Sequence, residues 1–197
     1  MMRTKLIRGV IVAVFGAALV AGCGSAAEPG NHSGGQTATH DRNDADVKFA
    51  TDMIPHHSQA VEMSALAPTR AASPEVRGLA QRIQAAQDPE IKLMQGWLTG
   101  WGVSGGHSNT SQSGGHDADS MQGMMSVEQM TRLREASGAA FDRMFLEMMI
   151  EHHEGAITMS EKQLAEGKSE QAKTLAGEII KAQKAEIIEM RKLLGTG

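Results

Sequence analysis

The strongest constraint on this chain is that it contains one unit written twice. Sliding the sequence by 96 residues aligns residues 46–98 with 142–194 without a gap, and 19 of the 53 positions are identical. Chance would give about 3, so an internal duplication sets the architecture before any other feature is weighed. The matched positions include Phe49 with Phe145, Met53-Ile54 with Met149-Ile150, His56-His57 with His152-His153, and Ala60, Met63 and Ser64 with Ala156, Met159 and Ser160. Further along, Leu79, Ile83, Gln87, Glu90, Ile91 and Met94 match the residues at 175, 179, 183, 186, 187 and 190.

Each unit is predicted to be a helical hairpin. Phe49, Met53, His56, Ala60 and Met63 recur at spacings of four, three, four and three, which is one stripe of a helix, and Phe145, Met149, His152, Ala156 and Met159 repeat it. Ser73 before Pro74 is an N-cap with proline at the first helical position, while Gly167 followed by Ser169 is a stop and then a cap. The hairpin turn is expected near residue 70. Ser126 with Gln129 is a capping box that opens a short extra helix ending near Gly138. Neither hairpin can bury its apolar stripe alone, so the expected fold is all-α: an antiparallel four-helix bundle of approximate twofold symmetry over residues 44–197. Its crossover contains the short helix and a Gly-rich loop at 102–123 with six glycines.

The N-terminus predicts where the protein works. Arg3, Lys5 and Arg8 precede an apolar run over 10–21, and Val20-Ala21-Gly22 leads into Cys23. The run is shorter than the roughly 20 residues of a membrane span. Residues 1–22 therefore read as a signal peptide and Cys23 as the lipidated first residue of an extracytoplasmic lipoprotein, palmitate being among the expected acyl groups. Residues 23–43, polar and without apolar period, form an expected flexible tether from the membrane. Removal of the leader takes three positive charges, leaving 16 Lys and Arg against 23 Asp and Glu, a net charge of −7. Nucleic acid is thereby disfavoured as a partner; no protein partner is indicated. Cys23 is the one cysteine in the chain, so its acylation leaves neither a disulfide nor a thiolate ligand.

Fourteen methionines and eight histidines supply the remaining chemistry. Met53, His56, His57 and Met63, with Met149, His152, His153 and Met159 as their copy, are the candidate metal ligands, because residues three, four and seven apart project from one side of a helix. Thioether sulfur prefers Cu(I) and imidazole serves both oxidation states of copper, so the set selects copper over Mg, Ca and Mn, with Cu(I) first and Cu(II) second. A methionine stripe is ordinarily core filler and a lone interior histidine ordinarily a hydrogen-bonded one. Two adjacent histidines repeated in register go beyond that. The seam favours His56 and His152, while His57 and His153 lie about 100° further round the helix. Gln87, Glu90, Gln183 and Glu186 fall level with the histidines as candidate outer partners that fix a tautomer. His107, His116, Met121, Met124 and Met125 form a second group suited to loose metal capture. A di-iron bundle needs Glu three residues before its histidines; Met53, Ile54, Met149 and Ile150 stand there instead. Zinc-protease, phosphate-loop and serine-nucleophile motifs are absent.

Met53-Ile54-Pro55-His56-His57 with Ala60 and Met63, and Gly138, Phe141-Asp142-Arg143, Met149-Ile150, His152-His153, Ala156-Ile157 and Met159, resemble the bacterial domain of unknown function family three hundred and five. The resemblance covers residues 44–195. It implies a ferritin-like four-helix bundle, export from the cytoplasm and, for some members, copper binding and resistance in the periplasm. The expected function is a lipoprotein that buffers or sequesters copper; a metal-dependent oxidase of the envelope and an envelope interaction module without metal are the alternatives.

Overall fold

A computed structural model describes residues 41–103 and 121–195; Cys23, the leader, most of the expected tether, His107 and His116 lie outside them. Five helices follow one another: α1 (Asp44–Arg70), α2 (Pro74–Gly100), α3 (Val127–Glu135), α4 (Gly138–Glu166) and α5 (Glu170–Leu193). Among the described residues there is no strand, and no helix is long and apolar enough to cross a membrane.

The expected caps are where local chemistry ends and restarts each helix. Ser73 Oγ accepts from the backbone N–H groups of Glu75 and Val76 ahead of Pro74, and Ser169 Oγ accepts from that of Ala172. Ser126 and Gln129 exchange side-chain and backbone hydrogen bonds at the start of α3. Gly138 opens α4 with φ of +64°, rather than closing α3, which stops at Glu135. The end of the expected tether is engaged: Asn43 caps α1 and also donates to the Glu166 carbonyl, and Arg42 donates to the Trp101 carbonyl.

Packing is densest within the hairpins α1–α2 and α4–α5 and then between α1 and α4, which form the central pair. The Arg82–Glu189 ion pair at 2.6 Å ties α2 to α5 across the remaining side. The apolar core divides into two clusters that are copies of each other. One holds Ala60, Met63, Leu79, Ile83, Phe145, Met149 and Met190; the other holds their repeat mates Ala156, Leu175, Ile179, Phe49, Met53 and Met94, with Met159 packed against it. The symmetry is broken at the first cluster alone, where Met125, Met130 and Leu133 add a lid from the crossover.

The two repeats also finish each other's turns. Asp142 of α4 accepts from the backbone N–H groups of Ala72 and Ser73 in the α1–α2 turn. Its mate Asp46 of α1, fully buried, accepts from Lys168 and Ser169 in the α4–α5 turn, from the Asn43 N–H and from the Gln163 amide. A Cβ at Gly167 would strike both Gln163 and the Asp46 carboxylate, which explains a glycine at that turn. Burial alone would raise the Asp46 pKa, but the hydrogen bonds from Asn43, Gln163, Lys168 and Ser169 outweigh it and hold the carboxyl below its ordinary 3.8. The ionised form therefore stabilises the fold above pH 3.8, and that contribution is lost as pH falls through the lowered folded value. Asp46→Ala is expected to lower the unfolding free energy by about 3 kcal/mol, since it orphans several buried donors. Asp142→Ala should cost less, because Asp142 is only half-buried. Urea unfolding at pH 7 of both variants measures the difference.

Candidate metal centre

Four imidazoles form a polar layer between the two apolar clusters. His56, His57, His152 and His153 each have 0% exposure. The seam expectation is met by His56 and His152, whose rings lie 3.8 Å apart between centroids at a 43° tilt, across the α1–α4 contact. His57 and His153, placed further round the helix, are buried as well, because each turns toward its own hairpin partner. His57 Nε2 lies 2.8 Å from Glu90 Oε2, and His153 Nε2 lies 2.7 Å from Glu186 Oε2. Both glutamates keep a solvent-facing edge, at 22% and 20% side-chain exposure, so the layer reaches water through carboxylates. The glutamines expected beside them are buried at the same level but are not joined to a histidine: neither side-chain atom of Gln87 has a hydrogen-bond partner, nor does Gln183 Oε1.

These contacts decide which nitrogen carries the proton. His56 Nε2 lies 3.3 Å from the Gln122 carbonyl, which can only accept, so Nε2 holds the hydrogen. Glu90 and Glu186 accept from Nε2 of His57 and His153 in the same way. In all three rings Nδ1 is buried and without a hydrogen-bond partner. Both nitrogens of His152 are in that condition, as are the hydroxyls of Ser64 and Ser160. Unmet buried polar atoms of this number are costly in a native fold, at about 1–3 kcal/mol each, and ask for a ligand.

The two facing rings, His56 and His152, are held neutral. Burial, with the His57 imidazole adding to it, pushes His56 from 6.5 down to about 3, the Gln122 carbonyl opposing and His153 contributing last. Burial also holds His152 well below its ordinary value, helped by the neighbouring imidazoles of His56, His153 and His57, with the His56 backbone opposing. That uncharged pair suits a cation that brings its own charge.

The methionines flank this layer on both sides. Met53, Met63 and Met149 are fully buried, whereas Met159 is half-buried. Met53 and Met159 belong to one end of the bundle and Met63 and Met149 to the other. Among the described residues no three His, Cys, Asp or Glu side chains gather into a metal-holding group. A site here therefore depends on thioethers alongside imidazole. Of the crossover methionines, Met125 is core, Met124 is half-buried, and Met121 lines a cleft.

Sequence reasoning missed the strap that covers the layer. Residues 121–125 cross α1 and α4 beside His56. Gln59 clamps the strap by donating to the Met125 carbonyl and accepting from its N–H, at 2.8 and 2.7 Å. The equivalent position on α4 is Gly155, where a Cβ would collide with the Gln122 carbonyl, and Gly123, at φ +82°, sits against it. An isolated glycine inside an otherwise regular helix was the available signal. Met94 and Met190 are likewise fully buried repeat mates outside the expected ligand set.

Three comparisons with known proteins follow from this geometry. Residues 46–194 match the sequence model of the family described as Domain of unknown function (DUF305). A crystal structure of a candidate secreted DUF305 protein from Streptomyces coelicolor is similar at 32% identity and a TM-score of 0.68, covering 77% of this chain and 92% of that one. A DUF305 fragment from Deinococcus radiodurans gives 29% identity and 0.67, covering 78% and 97%. CopM in its Cu(II)-bound form gives 30% identity and 0.63, covering 75% and 94%, and CopM in its Cu(I)-bound form gives a TM-score of 0.59. No curated protein matches the chain.

The depressed histidine pKa values carry a testable sign. In the unfolded chain these histidines take up a proton near pH 6.5, while folded His56 refuses it until about pH 3. Stability is thus full above pH 6.5 and falls progressively below it. Asp46 does not titrate in that upper range. Metal-free protein should lose unfolding free energy between pH 7.5 and 4.5 in chemical denaturation; a flat profile over that interval would mean the rings are not buried neutral.

Proposed function

The chain belongs to the DUF305 family, and from that premise we propose that it is an extracytoplasmic lipoprotein that binds copper, Cu(I) before Cu(II), to buffer or sequester it. The observation that carries this reading is the buried layer of four imidazoles, each with an Nδ1 atom that has no hydrogen-bond partner, between two methionine clusters. Met53, His56, His57, Met63, Met149, His152, His153 and Met159 are the proposed donors. Glu90 and Glu186 act one step out: by accepting from Nε2 they orient His57 and His153 and leave Nδ1 as the nitrogen available to a metal ion. His56 is prepared in the same way by the Gln122 carbonyl.

Soft donors and a neutral, water-poor layer favour a soft monovalent cation, because a divalent ion would bring more charge into a site with no carboxylate in direct reach. CopM, similar over three quarters of this chain, is known in Cu(I)-bound and Ag-bound forms. That supports carrying a Cu(I) role to this chain, where buried thioether and imidazole donors are available. Export is supported by the leader-like sequence at 1–22 and by the relative described as a candidate secreted protein. Cys23 would then anchor the domain to a membrane by its acyl chains, with residues 24–40 between anchor and bundle.

Purified protein is expected to bind Cu(I) stoichiometrically in a competition titration against a chromogenic Cu(I) chelator. Replacing His56, His57, His152 and His153 together by alanine should remove most of that binding. Four new cavities threaten the fold, so Met53→Leu with Met149→Leu serves as the volume-conserving arm. It should retain helix content and weaken Cu(I) binding about tenfold or more, roughly 1.4 kcal/mol. Cu(I) at 100 times its Kd should add about 2.7 kcal/mol of stability, which for a domain of this size raises the melting temperature by about 5–10 °C. Wild-type affinity in both variant sets would end the copper reading.

The anchor has its own test. Expressed with its leader in a bacterial host, the protein should partition with membranes and carry an acylated N-terminal Cys23. Cys23→Ser should release it or leave the leader uncut, as mass spectrometry of the N-terminal peptide would show.

A further inference from the structure

The two ends of the bundle flank the buried layer differently. At the end that holds Met63 and Met149, the strap and α3 press Met125, Met130 and Leu133 into the cluster, and both thioethers are fully buried. At the opposite end no described crossover residue enters the apolar cluster. A cleft of about 570 Å³ runs between the N-terminal half of α1 and the C-terminal half of α4, with Phe49, Met159, Met121 and Gln122 in its walls. Met159 is half-buried there, although its repeat mate Met63 is fully enclosed. Behind Met159 stands the cluster that contains Met53. Gln122, which lines the cleft, is also the residue whose carbonyl holds His56. Asp44, Asp52 and Glu166 at the cleft supply negative charge and Lys48 and Lys162 supply positive charge, so the mouth is of mixed sign with a slight acidic excess.

Resting on the copper reading above, we propose that this cleft is a port through which Cu(I) reaches and leaves the buried layer, with the Met121 and Met159 thioethers as its outermost ligands. The sequence put Met121 in a loop and Met159 in a repeated ligand set; only the fold places both in one cleft. Transfer is ligand exchange without redox change. A bond from Cu(I) to the donor molecule's ligand breaks as a bond to a methionine sulfur forms, and the ion then passes inward to Met53 and to the imidazole nitrogens. Thioethers suit such a relay, being soft enough to hold Cu(I) and neutral enough to release it. The twofold mate of this route is covered by the crossover, so the two ends of the duplicated layer are not equivalent for exchange.

Plugging the cleft without touching a proposed ligand tests the port. Ala45 lines the cleft, and Ala45→Trp fills it. Stopped-flow uptake of Cu(I) from its complex with bicinchoninate, and removal of Cu(I) by excess bicinchoninate, should each slow about tenfold. Stoichiometry should match wild type. Ala139→Trp, at the bundle's other end, is the control and should leave both rates unchanged. Wild-type rates in Ala45→Trp, or equal slowing in the control, would overturn the port while leaving copper binding intact. A wild type that takes up no Cu(I) would overturn the copper reading and the port with it. A second measurement is independent of folding in the variant: in wild-type protein with 13C-labelled methionine methyls, substoichiometric Ag(I) should shift Met121 and Met159 first. Earlier shifts at Met63 and Met149 would show that the ion arrives from the closed end.

Discussion

Everything in this fold is arranged around burying four imidazoles where helices α1 and α4 cross. An imidazole brings two nitrogens, and a helix interior offers few partners for either. Three rings settle one nitrogen each, on Glu90, Glu186 and the Gln122 carbonyl, and leave the other bare. His152 leaves both bare. The apolar clusters on either side make the arrangement tolerable, since they contribute the favourable burial that a half-satisfied polar layer lacks. Core and site are therefore one structure here, with the methionines serving packing and, in the proposed function, ligation.

Twofold repetition doubles the layer, and the crossover then treats the two ends differently. Gln59 and Gly155 occupy equivalent positions, yet one reaches up to clamp the strap and the other vanishes to admit it. A symmetric pair of hairpins would present two identical faces. The strap converts that pair into a molecule with a covered side and a cleft side, and it does so with five residues and a short helix.

Much of the fold was legible in the sequence because it is written in local chemistry. The duplication fixed two like hairpins, Ser73-Pro74, Ser126 with Gln129, and Gly167 with Ser169 marked the boundaries, and the heptad-like stripe named Phe49, Met53, His56, Ala60 and Met63 as one face. Helical spacing could not say that His57 and His153 would also be fully enclosed, since that depends on where α2 and α5 lie against their partners. Nor could it choose between glutamine and glutamate one turn apart; hairpin register selected Glu90 and Glu186 and left Gln87 without a partner. The strap was harder to read for a different reason: Gly155 marks a close approach but not what approaches, and the strap's contacts join residues 66 apart through main-chain carbonyls. Asp46 and Asp142 were visible as a repeated pair, but their reach into each other's hairpin turns is a property of the assembled bundle.

That reciprocal reach bears on how such a chain came to exist. A solitary hairpin of this design would expose an unfinished turn and half of a histidine layer, each needing what only a sibling supplies. Within the tandem chain each aspartate crosses to the turn of the other hairpin, Asp46 to Lys168 and Ser169 and Asp142 to Ala72 and Ser73. The covalent crossover makes the association unimolecular, and it frees one copy to diverge, as Pro55 against Glu151 and Gln59 against Gly155 record.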